Sequence, residues 1–288
     1  MSIFSQRYTA LYNEDTILPF NAGGLTQPGT MDHNCQDALA AAAGRNYIAA
    51  IVSDGKGGVT DEVSYNSSSF NEIGAQAVSA ILLNGIRENI STAKSIDDLL
   101  LKADQYLTFR LRTILRTFLP HDWTTRDKQY YAFNMLSATI VGTVITPENW
   151  CIFHYGDGIC GFNGVIQNLE EFSGRYYSSE FLRSRSYKNG HCLTVYAQGR
   201  TQTLQNAVIG SDGMIDLLKS KDRELLDFLN LAEGLQYERG ISTSMAFSRE
   251  FRMRVSQPFR KRHEITGDDD KAAAGHDDRT VFVVRRVG

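Results

Sequence analysis

The sequence predicts an α+β fold in which two antiparallel sheets carry helices on their outer faces. Three observations support this prediction. Strand-type segments outnumber helical ones, two long helical segments follow one another directly, and the last segment is again a strand. A doubly wound fold would alternate strands and helices strictly. No stretch has the composition of a linker, and the 24 glycines and five prolines are scattered, so residues 1–288 are expected to form a single domain.

The first half of the chain contains one clear strand. Tyr47–Val52 is an apolar run that ends in Ser53-Asp54-Gly55, which is typical of a buried strand that enters a turn. The patch of small residues before it, Ala40–Ala43, is too short to influence this interpretation.

Two helices follow this strand. Glu72–Ile86 has apolar residues at helical spacing, beginning with Ile73. Ser95 and Asp98 resemble a capping box, with Asp98 in the place of the usual glutamate. The second helix then continues to the stop at Pro120. Its apolar positions are Leu99, Leu100, Ala103, Leu107, Leu111, Leu115 and Phe118.

Strand-type segments dominate the second half. The predicted strands are Ala138–Ile145, Trp150–Tyr155, Ile159–Phe162, Leu193–Ala197, Ala207–Gly210 and Arg279–Arg285, and the predicted helices are Met214–Leu218 and Arg223–Leu235. Asp157-Gly158 is a tight-turn signal, so we expect Trp150–Tyr155 and Ile159–Phe162 to form a hairpin.

Composition excludes several classes of protein. The chain has 30 basic and 33 acidic residues and a net charge of −3, which argues against a nucleic-acid partner. Its four cysteines form no Cys-x-x-Cys pair, so we expect reduced thiols in a cytoplasmic protein and neither a disulfide scaffold nor structural zinc. No apolar run approaches the roughly 20 residues of a membrane span, and no signal peptide is recognisable, so no membrane partner is expected.

Three apolar segments end in Asp-Gly, at Asp54, Asp157 and Asp212, and Asp37 and Asp277 occupy comparable positions. Taken singly, each is more often a turn, because both residue types tolerate positive φ. Taken together, strand ends on facing sheets can bring such carboxylates into one cleft. They would repel one another there unless a cation lay between them. Hard oxygen ligands favour Mg²⁺ or Mn²⁺ over zinc.

The order of these motifs resembles the metal-dependent protein phosphatases of type 2C. The matching segments are Gln36-Asp37, Asp54-Gly55-Lys56-Gly57-Gly58, Gly156-Asp157, Ser211-Asp212-Gly213 and Asp277-Asp278-Arg279-Thr280. Cys35-Gln36-Asp37 further resembles a bacterial branch of the family, in which Cys-Gln-Asp replaces Asn-Glu-Asp. Each motif alone is weak, but five in this order, over roughly residues 22–286, are specific.

The resemblance implies a four-layer αββα sandwich of two antiparallel sheets flanked by helix pairs. It also implies two Mg²⁺ or Mn²⁺ ions, with Asp54 bridging them and the Gly55 carbonyl bound to one. Asp212 and Asp277 would bind the other ion, and Asp157 matches a third, weaker metal position. Asp37 would lie just outside the direct ligands and hold metal-bound water.

Two departures concern substrate binding. Asp32 stands where many members of the family carry a phosphate-binding arginine, and a carboxylate there would repel phosphate. Lys56 is a candidate to contact the phosphate or protonate the leaving oxygen, with a solvated loop lysine as the equal alternative. His33 is a weaker candidate. Cys35 lacks the Cys-x₅-Arg loop of cysteine phosphatases and is therefore expected to be structural.

Segment Phe172–Gly190 carries four basic residues and three tyrosines. In this family the corresponding region often forms a flap near the active site, which suggests a role in recognising phosphoproteins. A solvated loop is at least as good an explanation.

The resemblance implies hydrolysis of phosphoserine and phosphothreonine in proteins, with a cognate Ser/Thr kinase acting in opposition. Two alternatives remain open. The fold could serve as a pseudophosphatase that binds a phosphoprotein or a kinase, or it could hydrolyse a small phosphoester. Asp32 and Gln36 slightly favour the pseudophosphatase, whereas Asp54, Asp212 and Asp277 argue against it, because clustered carboxylates without a metal are costly.

Overall fold

Two six-stranded sheets pack face to face in the computed structural model, and helices cover the outer face of one of them. The structure describes residues 8–27, 35–55, 71–119, 122, 124–181, 191–215, 240–241 and 278–287. The sandwich confirms the predicted α+β class. The helix predicted at Arg223–Leu235 lies outside the described residues, as does most of the one predicted at Met214–Leu218.

The first sheet has the strand order β1-β3-β4-β5-β6-β9. Its strands are β1 (Ala10–Asn13), β3 (Asp37–Gly44), β4 (Tyr47–Asp54), β5 (Ile140–Ile145), β6 (Asn149–Tyr155) and β9 (Thr194–Arg200). All neighbours in this sheet are antiparallel except the edge strand β1, which runs parallel to β3.

The second sheet has the order β11-β2-β12-β10-β7-β8. Its strands are β2 (Phe20–Gln27), β7 (Ile159–Phe162), β8 (Val165–Asn168), β10 (Asn206–Gly210), β11 (Gly240–Ile241) and β12 (Arg279–Arg286). Here too one edge pair is parallel, β11 with β2, and the remaining pairs are antiparallel.

Four α-helices have their bounds within the described residues. They are α1 (Asn71–Asn89), α2 (Ile96–Phe118), α3 (Thr125–Met135) and the single turn α4 (Ser178–Phe181). Residues of α1 and α2 form one hydrophobic core with the first sheet, and a second core fills the space between the two sheets. No helix in the described part of the chain is long and apolar enough to cross a membrane.

The alanine-rich patch is the middle of a completely buried strand, β3. Ala38, Ala40 and Ala42 belong to the core under the helices, whereas Leu39 and Ala41 belong to the core between the sheets. Side chains alternate between the two faces of a strand, so a strand buried on both faces reads as a continuous apolar run. The view that this patch has no importance was therefore wrong.

The predicted helices α1 and α2 are confirmed, with small differences at their ends and faces. Ser95 caps α2 by accepting a hydrogen bond from the Asp98 N–H, but the Asp98 carboxylate accepts from the Lys94 N–H and not from Ser95. The apolar faces are slightly narrower than predicted, because Ile73 is 48% exposed and Phe118 is 72% exposed.

The hairpin predicted at Asp157-Gly158 is wrong. Strand β6 pairs with β5 and β9 in the first sheet, whereas β7 pairs with β10 and β8 in the second. The turn therefore connects the two sheets. The real hairpin joins β7 to β8 through Asn163-Gly164, and both of its turn residues have positive φ.

Helix α3 was not predicted, although its start carries a capping box. The Thr124 hydroxyl accepts from the Asp127 N–H, and the Asp127 carboxylate accepts from the Thr124 N–H. Its only fully buried side chain is Ala132, so it lacks the apolar stripe from which helices are recognised.

Substituting Ala40→Leu tests the packing of β3 beneath the helices. We expect the free energy of unfolding to fall by about 1–3 kcal/mol, because the larger side chain overpacks a closed core. Denaturant unfolding followed by circular dichroism measures the loss. Lys128→Leu, which introduces leucine at an exposed position of α3, is the control. It should change the free energy of unfolding by less than about 0.5 kcal/mol. Equal small effects from both changes would contradict this packing.

Candidate active site

Asp37 and Asp54 face each other across the central strands of the first sheet. Asp37 begins β3, Asp54 ends β4, and the two are directly paired in the register. Side chains of paired residues lie on the same face, with Cβ atoms about 4.5–5.5 Å apart. That face is the one that Leu39 and Val52 share, so both carboxylates point toward the second sheet.

The second sheet contributes two more carboxylates at the same end. Asp212 follows β10 after Ser211, and Asp278 directly precedes β12. These strand ends are joined because the Ser211 N–H donates to the Thr280 carbonyl over 2.9 Å and the Thr280 N–H donates to the Ser211 hydroxyl over 2.9 Å.

Contacts across the gap bring the two pairs together. The Gln36 N–H donates a hydrogen bond to Oδ2 of Asp278, which links the start of β3 to the start of β12. Burial raises the pKa of Asp37 well above its ordinary value, the Ser211 and Thr280 hydroxyls oppose this shift, and the charges of Asp278 and Asp212 add to it. The carboxylates therefore share one electrostatic environment.

Asp37 has the environment expected of a group that lacks a counter-charge. Its side chain is 5% exposed, and neither carboxylate oxygen meets a donor in good hydrogen-bond geometry within the described residues. A buried carboxylate with nearby carboxylates is strongly unfavourable unless it is protonated or faces a cation. The arrangement therefore suits hard divalent cations.

The backbone around Asp54 is held from both sides. The Gly55 N–H donates to the Gln36 carbonyl, the Asp54 N–H donates to the Thr139 hydroxyl, and the Thr139 N–H donates to the Asp54 carbonyl. Gly55 also forms an isolated β-bridge with Ala138. These contacts fix where β4 ends, and with it the place of the Asp54 side chain.

Gly213 is required by the close approach of two chain segments. A Cβ atom at this position would lie 1.9 Å from the Asp278 carbonyl oxygen. Any side chain would therefore push Asp212 away from Asp278. The Asp-Gly pair at this place is a packing requirement at the end of the sheet and not a simple turn signal.

Asp157 lies in the crossover between the sheets at this same end. Gly156 and Gly158 flank it, with φ of +90° and +133°. A Cβ on Gly156 would contact Thr139, which binds Asp54, and a Cβ on Gly158 would lie 2.5 Å from the carbonyl of Gly210. Asp157 is thus placed between the strand ends that carry Asp54 and Asp212, and it is 9% exposed.

Cys35 borders the cluster as a protonated thiol. Burial raises its pKa, and the charges of Asp37 and Asp278 raise it further. The thiolate is the nucleophilic form, so this environment disfavours cysteine chemistry, in agreement with the structural role expected for Cys35.

Five of the seven predicted site residues, Asp37, Asp54, Gly55, Asp157 and Asp212, lie at the same end of the sandwich, and their roles stay predictions. Lys56 and Asp277 lie outside the described residues, as do Asp32 and His33. Sequence reasoning overlooked Asp278 and the Ser211 and Thr280 hydroxyls. Their signal was present, because all three belong to the motifs quoted. No three His, Cys, Asp or Glu side chains converge as one ligand set within the described residues.

The fold is a sandwich of two sheets, and acidic residues at the strand ends lie at one end of the space between them. These two features define the class to which the protein belongs. The family model of protein phosphatase 2C matches residues 30–246. The chain belongs to this family.

Solved structures share the fold at low sequence identity. A bacterial serine phosphatase matches with a TM-score of 0.56 and 12% identity, over 93% of this chain and 98% of that one. Serine/threonine phosphatase Stp1 from Staphylococcus aureus matches with a TM-score of 0.54 and 12% identity, over 99% and 100%. The Mycobacterium tuberculosis serine/threonine phosphatase PstP/Ppp gives 0.53 and 12%, over 93% and 99%. None of the curated proteins compared matches the chain.

The protonated state of Cys35 can be tested by alkylation. With EDTA present at pH 8.5, we expect iodoacetamide to modify Cys35 at least about tenfold more slowly than a free thiol, because a raised pKa leaves less thiolate at that pH. Peptide mass spectrometry measures the rate, and the chain unfolded in urea is the control. A rate equal to that of the unfolded chain would contradict the burial of this thiol.

Proposed function

We propose that this protein is a metal-dependent phosphatase that hydrolyses phosphoserine and phosphothreonine in proteins. One observation carries the proposal. The buried Asp37 carboxyl, paired with Asp54 and exposed to the charges of Asp212 and Asp278, forms an acidic site that a divalent cation would complete. Membership of the protein phosphatase 2C family supports the same chemistry.

The proposed metal ligands are Asp54, the Gly55 carbonyl, Asp212 and Asp277, with Asp157 at a third and weaker position. Mg²⁺ or Mn²⁺ ions at such a site supply Lewis-acid stabilisation and an activated water when they are bound. The donor set fits, because the groups are hard oxygens and those in the described residues cluster at one end of the gap. Asp278 adds a further negative charge beside Asp37, and its carboxylate accepts a hydrogen bond from the Gln36 N–H.

The chain itself positions the reactants. Asp37 would accept a hydrogen bond from the attacking water and so orient it toward phosphorus. Ser211 and Thr280 hold the strand ends that carry Asp212 and Asp278. Phosphoryl transfer requires little covalent help from the protein, so fixed positions and charge neutralisation account for most of the rate. The protonated Cys35 takes no part as a nucleophile.

Lys56 is proposed to contact the substrate phosphate or to protonate the leaving oxygen. Many members of the family carry a phosphate-binding arginine where this chain has Asp32. A cation near the phosphate would take over the role of that arginine. The family and the structural neighbours, which are serine or serine/threonine phosphatases, support this substrate class. A phosphorylated protein in the cytoplasm, modified by a Ser/Thr kinase, is therefore the proposed partner.

Removing carboxylates from the site tests the proposal directly. We expect Asp54→Asn and Asp212→Asn each to reduce Mn²⁺-dependent hydrolysis of a phosphothreonine peptide by at least about 10³-fold, because each loses an anionic ligand. Steady-state kinetics with p-nitrophenyl phosphate as a second substrate measures the loss. Asp15→Asn is the matched control, since Asp15 is exposed and precedes β2 near the opposite end of β3, and it should leave the rate unchanged.

The outcomes separate the candidate functions. Metal-dependent turnover of the peptide, lost in both site variants, supports the protein phosphatase. Turnover restricted to small phosphoesters would instead indicate a small-molecule phosphoesterase. Wild-type protein that binds no Mn²⁺ and turns over neither substrate would indicate a pseudophosphatase and overturn the proposal.

The role of Lys56 predicts a separate kinetic effect. Lys56→Ala should raise KM or lower kcat for the phosphopeptide by about tenfold, since one charge-assisted contact with the phosphate is lost. Lys128→Ala, at an exposed position of α3, is the control. Unchanged kinetics in the Lys56 variant would remove this residue from the mechanism.

A further inference from the structure

A partly buried polar cluster joins α2 to residues 177 and 192, away from the carboxylates of the proposed active site. Its centre is Asp104, whose Oδ1 accepts a hydrogen bond from the Tyr177 hydroxyl at 2.6 Å and contacts the Cys192 thiol at 3.4 Å. The Tyr177 hydroxyl also lies 2.9 Å from the Thr108 hydroxyl, one turn further along α2. Burial raises the pKa of Asp104, and the hydrogen bonds from Tyr177 and Cys192 oppose that shift.

Tyr177 is fully buried, so a solvated loop is the wrong description of this part of the segment Phe172–Gly190. Its ring meets the ring of Tyr155 edge to face, with centroids 6.0 Å apart. A buried phenol with a fixed ring and a partnered hydroxyl has little freedom to move. Asp104 therefore anchors a rigid side chain between α2 and the first sheet.

The backbone of Tyr177 is joined to the segment beside the proposed metal ligands. The Tyr177 N–H donates to the Ala138 carbonyl at 2.9 Å, and the Ser178 and Ser137 hydroxyls are 2.7 Å apart. Segment 137–139 is thus held on one side by residues 177–178. On its other side, Ala138 bridges to Gly55 and Thr139 exchanges hydrogen bonds with Asp54.

The contacts form one continuous path from α2 to the end of β4. It runs from Asp104 through the Tyr177 side chain and backbone to Ala138 and Thr139, and from there to Asp54 and Gly55. Groups that orient metal ligands influence metal affinity even though they never touch the ion. The catalytic carboxylates do not include Asp104, which has no role in the proposed mechanism.

We propose that Asp104 and Tyr177 are positioning residues that set the place of Asp54 and Gly55 and thereby tune metal binding. This inference rests on the proposed function, because it takes Asp54 and Gly55 as metal ligands. Direct outer partners of a ligand typically change metal affinity by about 10–100-fold. Since this pair acts through an intervening backbone segment, we expect the Kd for Mn²⁺ to rise by about 5–10-fold when it is broken.

The test measures Mn²⁺ binding by isothermal titration calorimetry on the full chain, which does not depend on activity. Tyr177→Phe keeps the ring and removes the hydroxyl, whereas Asp104→Ala removes the acceptor. Both substitutions should raise the Kd for Mn²⁺. The Kd of the double variant should be no higher than that of the single variants, because the two residues act as a unit. Asp104→Asn retains an acceptor oxygen for the Tyr177 hydroxyl and should restore a Kd within about twofold of the wild type.

A matched control separates positioning from general stability. Thr143→Val removes a buried hydroxyl that donates to the Cys151 carbonyl at 3.0 Å in the same sheet. We expect this change to lower the unfolding midpoint in EDTA without changing the Kd. If Asp104→Ala fails to fold, Tyr177→Phe carries the test, because it leaves the packing of the ring intact.

Three results would decide the matter. A Kd raised in Tyr177→Phe but not in Thr143→Val supports the positioning role. A Kd within about twofold of the wild type in Tyr177→Phe and in every folded Asp104 variant overturns that role and leaves the proposed function standing. Wild-type protein that binds no Mn²⁺ overturns the proposed function and this inference together.

Discussion

The structure of this site depends on one constraint: like-charged carboxylates are held together where water cannot fully solvate them. Asp37 is buried opposite Asp54, and the charges of Asp212 and Asp278 reach it from the second sheet. Such an arrangement is unfavourable for the protein alone and favourable once cations are present. The proposed metal affinity and part of the cost of folding would therefore have the same origin. The surrounding framework must be stiff enough to hold these carboxylates close despite their repulsion.

The stiffness comes from close contacts of the backbone at this end, both between the two sheets and within the second sheet. The Gln36 N–H binds Asp278 across the gap, Gly213 leaves no room for a side chain beside the Asp278 carbonyl, and the Gly156–Gly158 crossover carries the chain from one sheet to the other. In each of these three places, the backbone, and not a long flexible side chain, lies beside the carboxylates. A site built in this way is positioned by strand register, which a single residue cannot change without moving the rest of the strand.

Much of the fold could be predicted from the sequence, and the errors have identifiable causes. The apolar stripe of α2 and the β-branched run of β5 are local patterns, so both elements were recognised. Helix α3 was not predicted because it buries few apolar side chains. Strand β3 was not predicted because alanine has no preference for strands, and this segment is a strand here because both of its faces are buried. The turn at Asp157-Gly158 was assigned to a hairpin because the same dipeptide serves both hairpins and crossovers, and only pairing across the sheets distinguishes them.

The sequence by itself determined which carboxylates are present, that glycine accompanies three of them, and that their order matches one phosphatase family. Only the tertiary structure decided that Asp278 lies beside Gln36. It also decided that Asp104 on α2 is connected to the end of β4 through Tyr177, which lies 73 positions later in the chain. The reason is physical. Residue type and local spacing are carried by the chain itself, whereas the contacts between Asp278 and Gln36 join residues 242 positions apart and exist only after the sheets have packed. The sequence pattern therefore shows which functional groups are available. The packing of the two sheets determines which of these groups lie together in one site.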